Sequence, residues 1–100
     1  MIRILKLVTG EEIIGDTTEA HGEITVKKPC YIQLVPSRTN PEQPAMALMP
    51  YAAYTKDHKV IIDISSVVWS EEPLTELYNQ YNSLFGSGLV MAGGGGSLNI

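Results

Sequence analysis

Short runs of β-forming residues fill the first seventy positions, and a helical period replaces them only after Pro73. Residues 2 to 9, Ile-Arg-Ile-Leu-Lys-Leu-Val-Thr, read as a strand that ends at the turn signal Gly10-Glu11-Glu12. A second β-prone run, Ile13-Ile14-Gly15-Asp16-Thr17-Thr18, follows and completes a hairpin. Gly15 has no side chain to pack, so inside a strand it marks a bulge or sharp bend, as a small barrel requires. After the polar break Glu19-Ala20-His21-Gly22, residues 23 to 35 form one long half-buried strand. Ile24, Val26, Cys30, Ile32 and Leu34 fall on one parity of it, and Thr25, Lys27, Tyr31 and Gln33 on the other.

Residues 36 to 44 hold Pro36, Pro41 and Pro44 and no period, which makes them the main exposed loop. Met46 to Tyr54 is apolar and aromatic again, but Pro50 cannot donate to a ladder and points to an edge strand or bulge. Lys56-Asp57-His58-Lys59 is a polar turn, and residues 60 to 69 give a last strand or a bent pair of strands. From Pro73 the spacing changes. Leu74, Leu77, Tyr78, Tyr81, Leu84 and Phe85 recur at three and four residues, the stripe of an amphipathic helix over about 73 to 85. Pro73 suits the first helical position, Glu71, Glu72 and Glu76 suit the positive end, and Gly86 suits the stop. Residues 1 to 91 are expected to form a single domain and residues 92 to 100 a Gly-rich flexible tail.

Composition narrows this picture. With 44% hydrophobic and 18% charged residues, the chain has the make-up of an ordinary globular domain. No apolar run is long enough to cross a bilayer, and the first residues carry no signal-peptide pattern, so the expected place is the cytoplasm. The single cysteine, Cys30, has no disulfide partner and no Cys or His at ligand spacing, which makes it a small core residue. No metal or cofactor is indicated. A net charge of −4 argues against a strongly electropositive duplex binder, although a few cations gathered on one face of a symmetric assembly would escape that count.

Catalytic chemistry finds little support. Gly10-Glu11-Glu12-Ile13-Ile14-Gly15 has the glycine spacing of a phosphate loop, but Asp16-Thr17 stands where Lys and a hydroxyl residue are needed. The two histidines, His21 and His58, lie in predicted turns, and no nucleophile elbow is present. Adjacent acids at Glu11-Glu12 and Glu71-Glu72 point apart in regular structure and make no acid/base dyad. The chain is therefore read as a binding or assembly protein, not an enzyme. Tyr51, Tyr54, Lys56, His58 and Lys59 cluster within nine positions, Tyr31 lies with Lys27 on the polar parity of the long strand, and such groups can stack on unpaired bases and neutralise phosphates. A plainer account has the tyrosines covering an apolar edge and the lysines solubilising a turn.

Leu5-Lys6-Leu7-Val8-Thr9-Gly10-Glu11-Glu12-Ile13-Ile14-Gly15 resembles the first motif of the Sm-like family, and Ile62-Asp63-Ile64-Ser65-Ser66-Val67-Val68 resembles the second. Ile64 to Val68 also looks like the closing strand of the bacterial Hfq branch. The order of elements is similar to that of the small Sm-like proteins of cyanophage and marine metagenome origin, in which the helix follows the barrel. The resemblance covers about residues 2 to 70. It implies a mostly β fold, a small bent five-stranded open barrel with a C-terminal α-helix. It also implies a closed ring of five to seven subunits that binds RNA or single-stranded DNA. His21, in the turn before the third strand, joins Lys56, His58 and Lys59 as a candidate contact. The departures are specific. The family helix usually precedes the first strand, Asp63-Ile64 stands where an Arg-Gly pair would read RNA, and the Hfq Lys-His pair would fall on Ile61-Ile62. A purely structural or protein-adaptor ring is the alternative.

Overall fold

A computed structural model describes residues 1–39 and 42–85. In chain order the elements are β1 (Ile2–Leu7), β2 (Glu12–Ala20), β3 (Glu23–Val35), β4 (Ala45–Pro50), β5 (Lys59–Asp63), β6 (Val67–Glu71) and α1 (Thr75–Phe85). Short 3-10 turns over Lys56–His58 and Ile64–Ser66 precede β5 and β6. All pairings are antiparallel, in the order β4-β3-β2-β1-β6, and β5 also pairs with β3.

In place of the expected five-stranded open barrel stands a six-stranded antiparallel sheet that is not closed, the sixth strand coming from the break of residues 60–69 into two. β3 holds two of the strands. Its 13 residues are long enough to pair with β4 over Cys30 to Val35 and with β5 over Glu23 to Lys27. The excursion over residues 51 to 58 separates these two partners. The bent pair expected over residues 60 to 69 is present as β5, the Ile64–Ser66 turn and β6. Asp63 makes that bend local: its Oδ1 accepts hydrogen bonds from the Ser65 N–H at 2.9 Å and hydroxyl at 2.7 Å. These bonds hold the Asp63 carboxyl below its ordinary range.

β1 stops two residues earlier than the pattern suggests, because the Leu7 N–H turns back to Glu11 O and the Gly10 N–H to Leu7 O. Gly10 takes φ +107°, which a side chain would oppose. The bend at Gly15 is where the sequence placed it. Pairing shifts between Ile14 and Asp16, so that Ile14 faces Cys30 while Asp16 faces Lys27, and Lys28 takes φ +53°. This bulge overturns the single-parity reading of β3. Ile24 and Val26 pack with Leu5, Leu7 and Ile13 on one face, and beyond the bulge Tyr31 joins that face. Cys30 and Ile32 turn to the other face, where Ile14, Ile4 and Leu48 surround them.

α1 covers this second face. Leu77, Tyr81 and Phe85 follow one another at four-residue spacing and form its buried line, Leu77 2% and Tyr81 3% exposed. Burying a side chain such as Leu77 stabilises by about 1.5–3 kcal/mol. Leu74, Tyr78 and Leu84, at the start and flanks of the expected stripe, remain exposed. Pro73 lies outside the helix rather than at its first position, since the Leu74 carbonyl accepts the first helical bond from the Tyr78 N–H at 2.9 Å. Cys30 is fully buried, as expected, and burial pushes its thiol up to about 12. Gly86 and the Gly-rich tail fall outside the described residues. No helix among the described residues is long and apolar enough to cross a membrane.

Candidate nucleic-acid interface

The excursion between β4 and β5 carries most of the candidate residues, and its conformation sorts them. Pro50 ends β4, Ala52, Asp57 and His58 take left-handed φ values of 55°, 62° and 48°, and Thr55 ties the loop. The Thr55 hydroxyl donates to Ala52 O at 2.7 Å and accepts from the Lys59 N–H at 3.2 Å.

His58 anchors this loop to the sheet. Its Nε2 lies 3.0 Å from both Pro29 O and Tyr51 O. Two carbonyl neighbours require a hydrogen on that nitrogen, so Nε2 donates and the ring is committed to the fold. Its other neighbour is the Phe85 ring, 5.8 Å away edge-on. Tyr51 is also held. It packs edge-on against Tyr31 at 4.8 Å, its N–H donates to Pro29 O at 2.9 Å, and burial pushes its phenol upward, helped by nearby Glu11, Tyr31 and Tyr54.

Tyr54, Lys56 and Lys59 remain available. Tyr54 is 93% exposed, an unusual setting for a large ring without a partner. It borders a cleft of about 470 Å³, with exposed Val8 and Ile61 also lining it. His21 stands apart, exposed at φ 55° in the turn between β2 and β3. That turn meets the Ile64–Ser66 turn through the bond from Ile64 N–H to Gly22 O, 2.9 Å. β5 runs between this corner and Lys59, a separation of roughly 13 Å or more at strand rise. The fold brings Tyr51, Tyr54, Lys56, His58 and Lys59 onto one loop and leaves His21 at the opposite end of β5, beside exposed Glu19, Glu23 and Asp63.

A second basic group joins Lys27 and Lys59, each named from the sequence, with Lys28, which was not. Lys27 and Lys59 are direct partners across β3 and β5, and Lys28 follows at the bulge. Together they line a cleft of about 580 Å³ that reaches the end of α1 at Tyr81, Asn82 and Phe85. Like charges facing each other on paired strands cost about 0.2–1 kcal/mol, less where solvent screens them. The ion pairs of the Met1 ammonium with Asp16, 2.8 Å, and of Lys6 with Glu12, 3.5 Å, involve none of these lysines. Lys27-Lys28-Pro29 carries the signal in sequence, because a proline inside a strand marks a bulge and a bulge re-aims its neighbours.

Among the described residues no three His, Cys, Asp or Glu side chains are grouped to hold a metal ion. No protein-family model matches this chain, and no curated protein matches its sequence.

Proposed function

We propose that this chain is an Sm-like protein that assembles into a ring and holds single-stranded RNA or DNA without chemistry of its own. The observation that carries the reading is the pair of open sheet edges. Among the described strands β6 pairs only with β1, and β4 and β5 only with β3, so each has one side without a strand partner, although side chains meet single carbonyls there, Arg3 at Ser70 O and Gln80 at Met46 O. Val68 and Trp69 on β6, Met49 on β4 and Ile61 on β5 expose apolar surface on these strands. An uncovered edge of this kind is a template for another strand, and pairing β6 of one copy with the β4–β5 edge of the next repeats head to tail until a ring closes. The family resemblance suggests five to seven copies.

Nucleic acid would lie along the loop that carries Tyr54 and Lys56. A fully presented ring beside a free ammonium suits base stacking with phosphate contact, each stacked base contributing about 1–3 kcal/mol. The corner where the family reads RNA holds His21 among Glu19, Glu23 and Asp63, and its acidity favours the second reading, a structural or adaptor ring.

Light scattering tests assembly. The expected wild-type mass is a multiple of 10.9 kDa, and Val68→Lys with Ile61→Lys should reduce it to one chain. A wild-type monomer would overturn both readings. Anisotropy titrations with labelled U-rich and A-rich strands test binding: Tyr54→Ala with Lys56→Ala should weaken it at least about tenfold. Assembly without binding at low salt would leave the structural ring standing and remove the nucleic-acid reading.

A further inference from the structure

We propose that the cleft between the β3 bulge and the end of α1 is a binding site for a mononucleotide, a nucleoside mono- or diphosphate. This does not depend on ring formation or on strand binding by Tyr54 and Lys56, although Asp57 and Lys59 of the same segment line the cleft. Lys27, Lys28 and Lys59 converge on the cleft from two paired strands. The two carboxylates that share it are Asp57 and Asp16, and Asp16 is already engaged by the Met1 ammonium at 2.8 Å. A single carboxylate ligand would answer only part of that charge, whereas a phosphate or diphosphate offers several oxygens to several ammonium groups at once.

The backbone around the lysines is both strained and fixed. Lys28 and Asp57 line the cleft in left-handed conformations at φ 53° and 62°. Tyr81 holds the bulge there, its hydroxyl donating to Lys27 O at 3.1 Å and Lys28 O at 2.9 Å. Non-glycine residues kept in sparsely populated backbone regions by surrounding structure cluster at ligand sites. The far wall is different in kind. Phe85 supplies a half-buried aromatic surface and Asn82 an amide, which suit a flat heterocycle with polar edges. At about 580 Å³ the space lies within the range of small-molecule sites, about 300–1,000 Å³.

Calorimetry on the full chain with AMP, ADP, pyrophosphate and adenosine, each up to about 1 mM, tests the site at about 50 and 300 mM salt. AMP and ADP should bind, more weakly at the higher salt, and adenosine should not. Lys27→Ala with Lys59→Ala should weaken ADP at least about tenfold, while Lys6→Ala, outside the cleft, should leave it unchanged. Phe85→Ala should weaken ADP and spare pyrophosphate, and retained pyrophosphate binding shows that this variant is folded. No heat from any phosphate probe would overturn the proposal, as would ADP binding indifferent to the double lysine variant. It would equally be overturned if only an oligonucleotide lost affinity in that variant, since the lysines would then serve a strand and not a mononucleotide.

Discussion

Replacing Gly15 by alanine tests the bulge on which both faces of the sheet depend. A Cβ built at this position would lie 2.4 Å from Val26 Cγ1, 3.0 Å from Lys27 O and 3.4 Å from Pro29 Cα. None of these neighbours can yield cheaply. Val26 is fully buried with its χ1 restricted by branching, and Lys27 O is backbone that already accepts the Tyr81 hydroxyl. Overpacking of this kind costs about 1–3 kcal/mol, and displacing the carbonyl weakens a hydrogen bond worth about 1 kcal/mol. Against this, alanine restricts the unfolded chain and returns about 0.4–1 kcal/mol. The net expectation is a loss of about 2 kcal/mol, or a Tm lower by about 8–16 °C for a domain of this size. Urea and thermal melts followed by Trp69 fluorescence and far-UV circular dichroism, at matched protein concentration, measure it. Val26→Ala removes the closest contact, so the double variant Gly15→Ala/Val26→Ala should lose clearly less than the two single losses added together. A Gly15→Ala protein within about 0.5 kcal/mol of wild type, or strictly additive losses, would refute the close approach at the bulge.

Tyr81→Phe removes the donor shared by Lys27 O and Lys28 O and should cost about 1–3 kcal/mol in urea melts; a neutral result would mean that these carbonyls find water instead. Cys30 should resist thiol reagents in the folded protein at pH 8 and react once urea unfolds it, because its thiol is buried and held up to about 12. The same shift sets a pH dependence. The unfolded thiol ionises near its ordinary 9.0 while the folded one keeps its proton to about 12, so the stabilisation is complete below pH 9 and is lost as pH rises toward 12. The slope is at most about 1.4 kcal/mol per pH unit, and Cys30→Ala should show a flatter decline between pH 9 and 10.5 if the thiol is its source.

Local signals were legible wherever a single residue type dictates backbone geometry. Gly10 marked the first turn, Gly15 the bend, and Leu77, Tyr81 and Phe85 the helix, because each follows from sterics or from a 3.6-residue period. The parity of β3 was not legible beyond Lys27. Its alternation continues unbroken in sequence, and only the left-handed Lys28 and the register shift opposite Gly15 send Cys30 and Tyr31 to faces opposite those expected. Pairing of one strand with two successive partners, β4 and β5 on β3, is a long-range fact that no local pattern encodes. The candidate loop was found as a cluster of residue types. Its division into an anchoring His58 and an exposed Tyr54 depends on which carbonyls lie within reach of the imidazole.

The bulge links the fold to every surface assigned a role. By reversing the facing of β3 it gives the sheet two apolar faces, and α1 covers the one formed by Ile14 and Cys30 through Leu77 and Tyr81. The helix packs on the face, with the Gln80 amide donating to Met46 O on β4, and no described strand pairs with the outer side of β6, β4 or β5. The Tyr81 hydroxyl meets the carbonyls of Lys27 and Lys28 at the bulge, and these two residues line the cleft at the end of α1 together with Lys59. Keeping three cations together beside an aromatic wall, in a protein of net charge −4, opposes the charge balance of the rest of the molecule and makes sense where an anion completes the site.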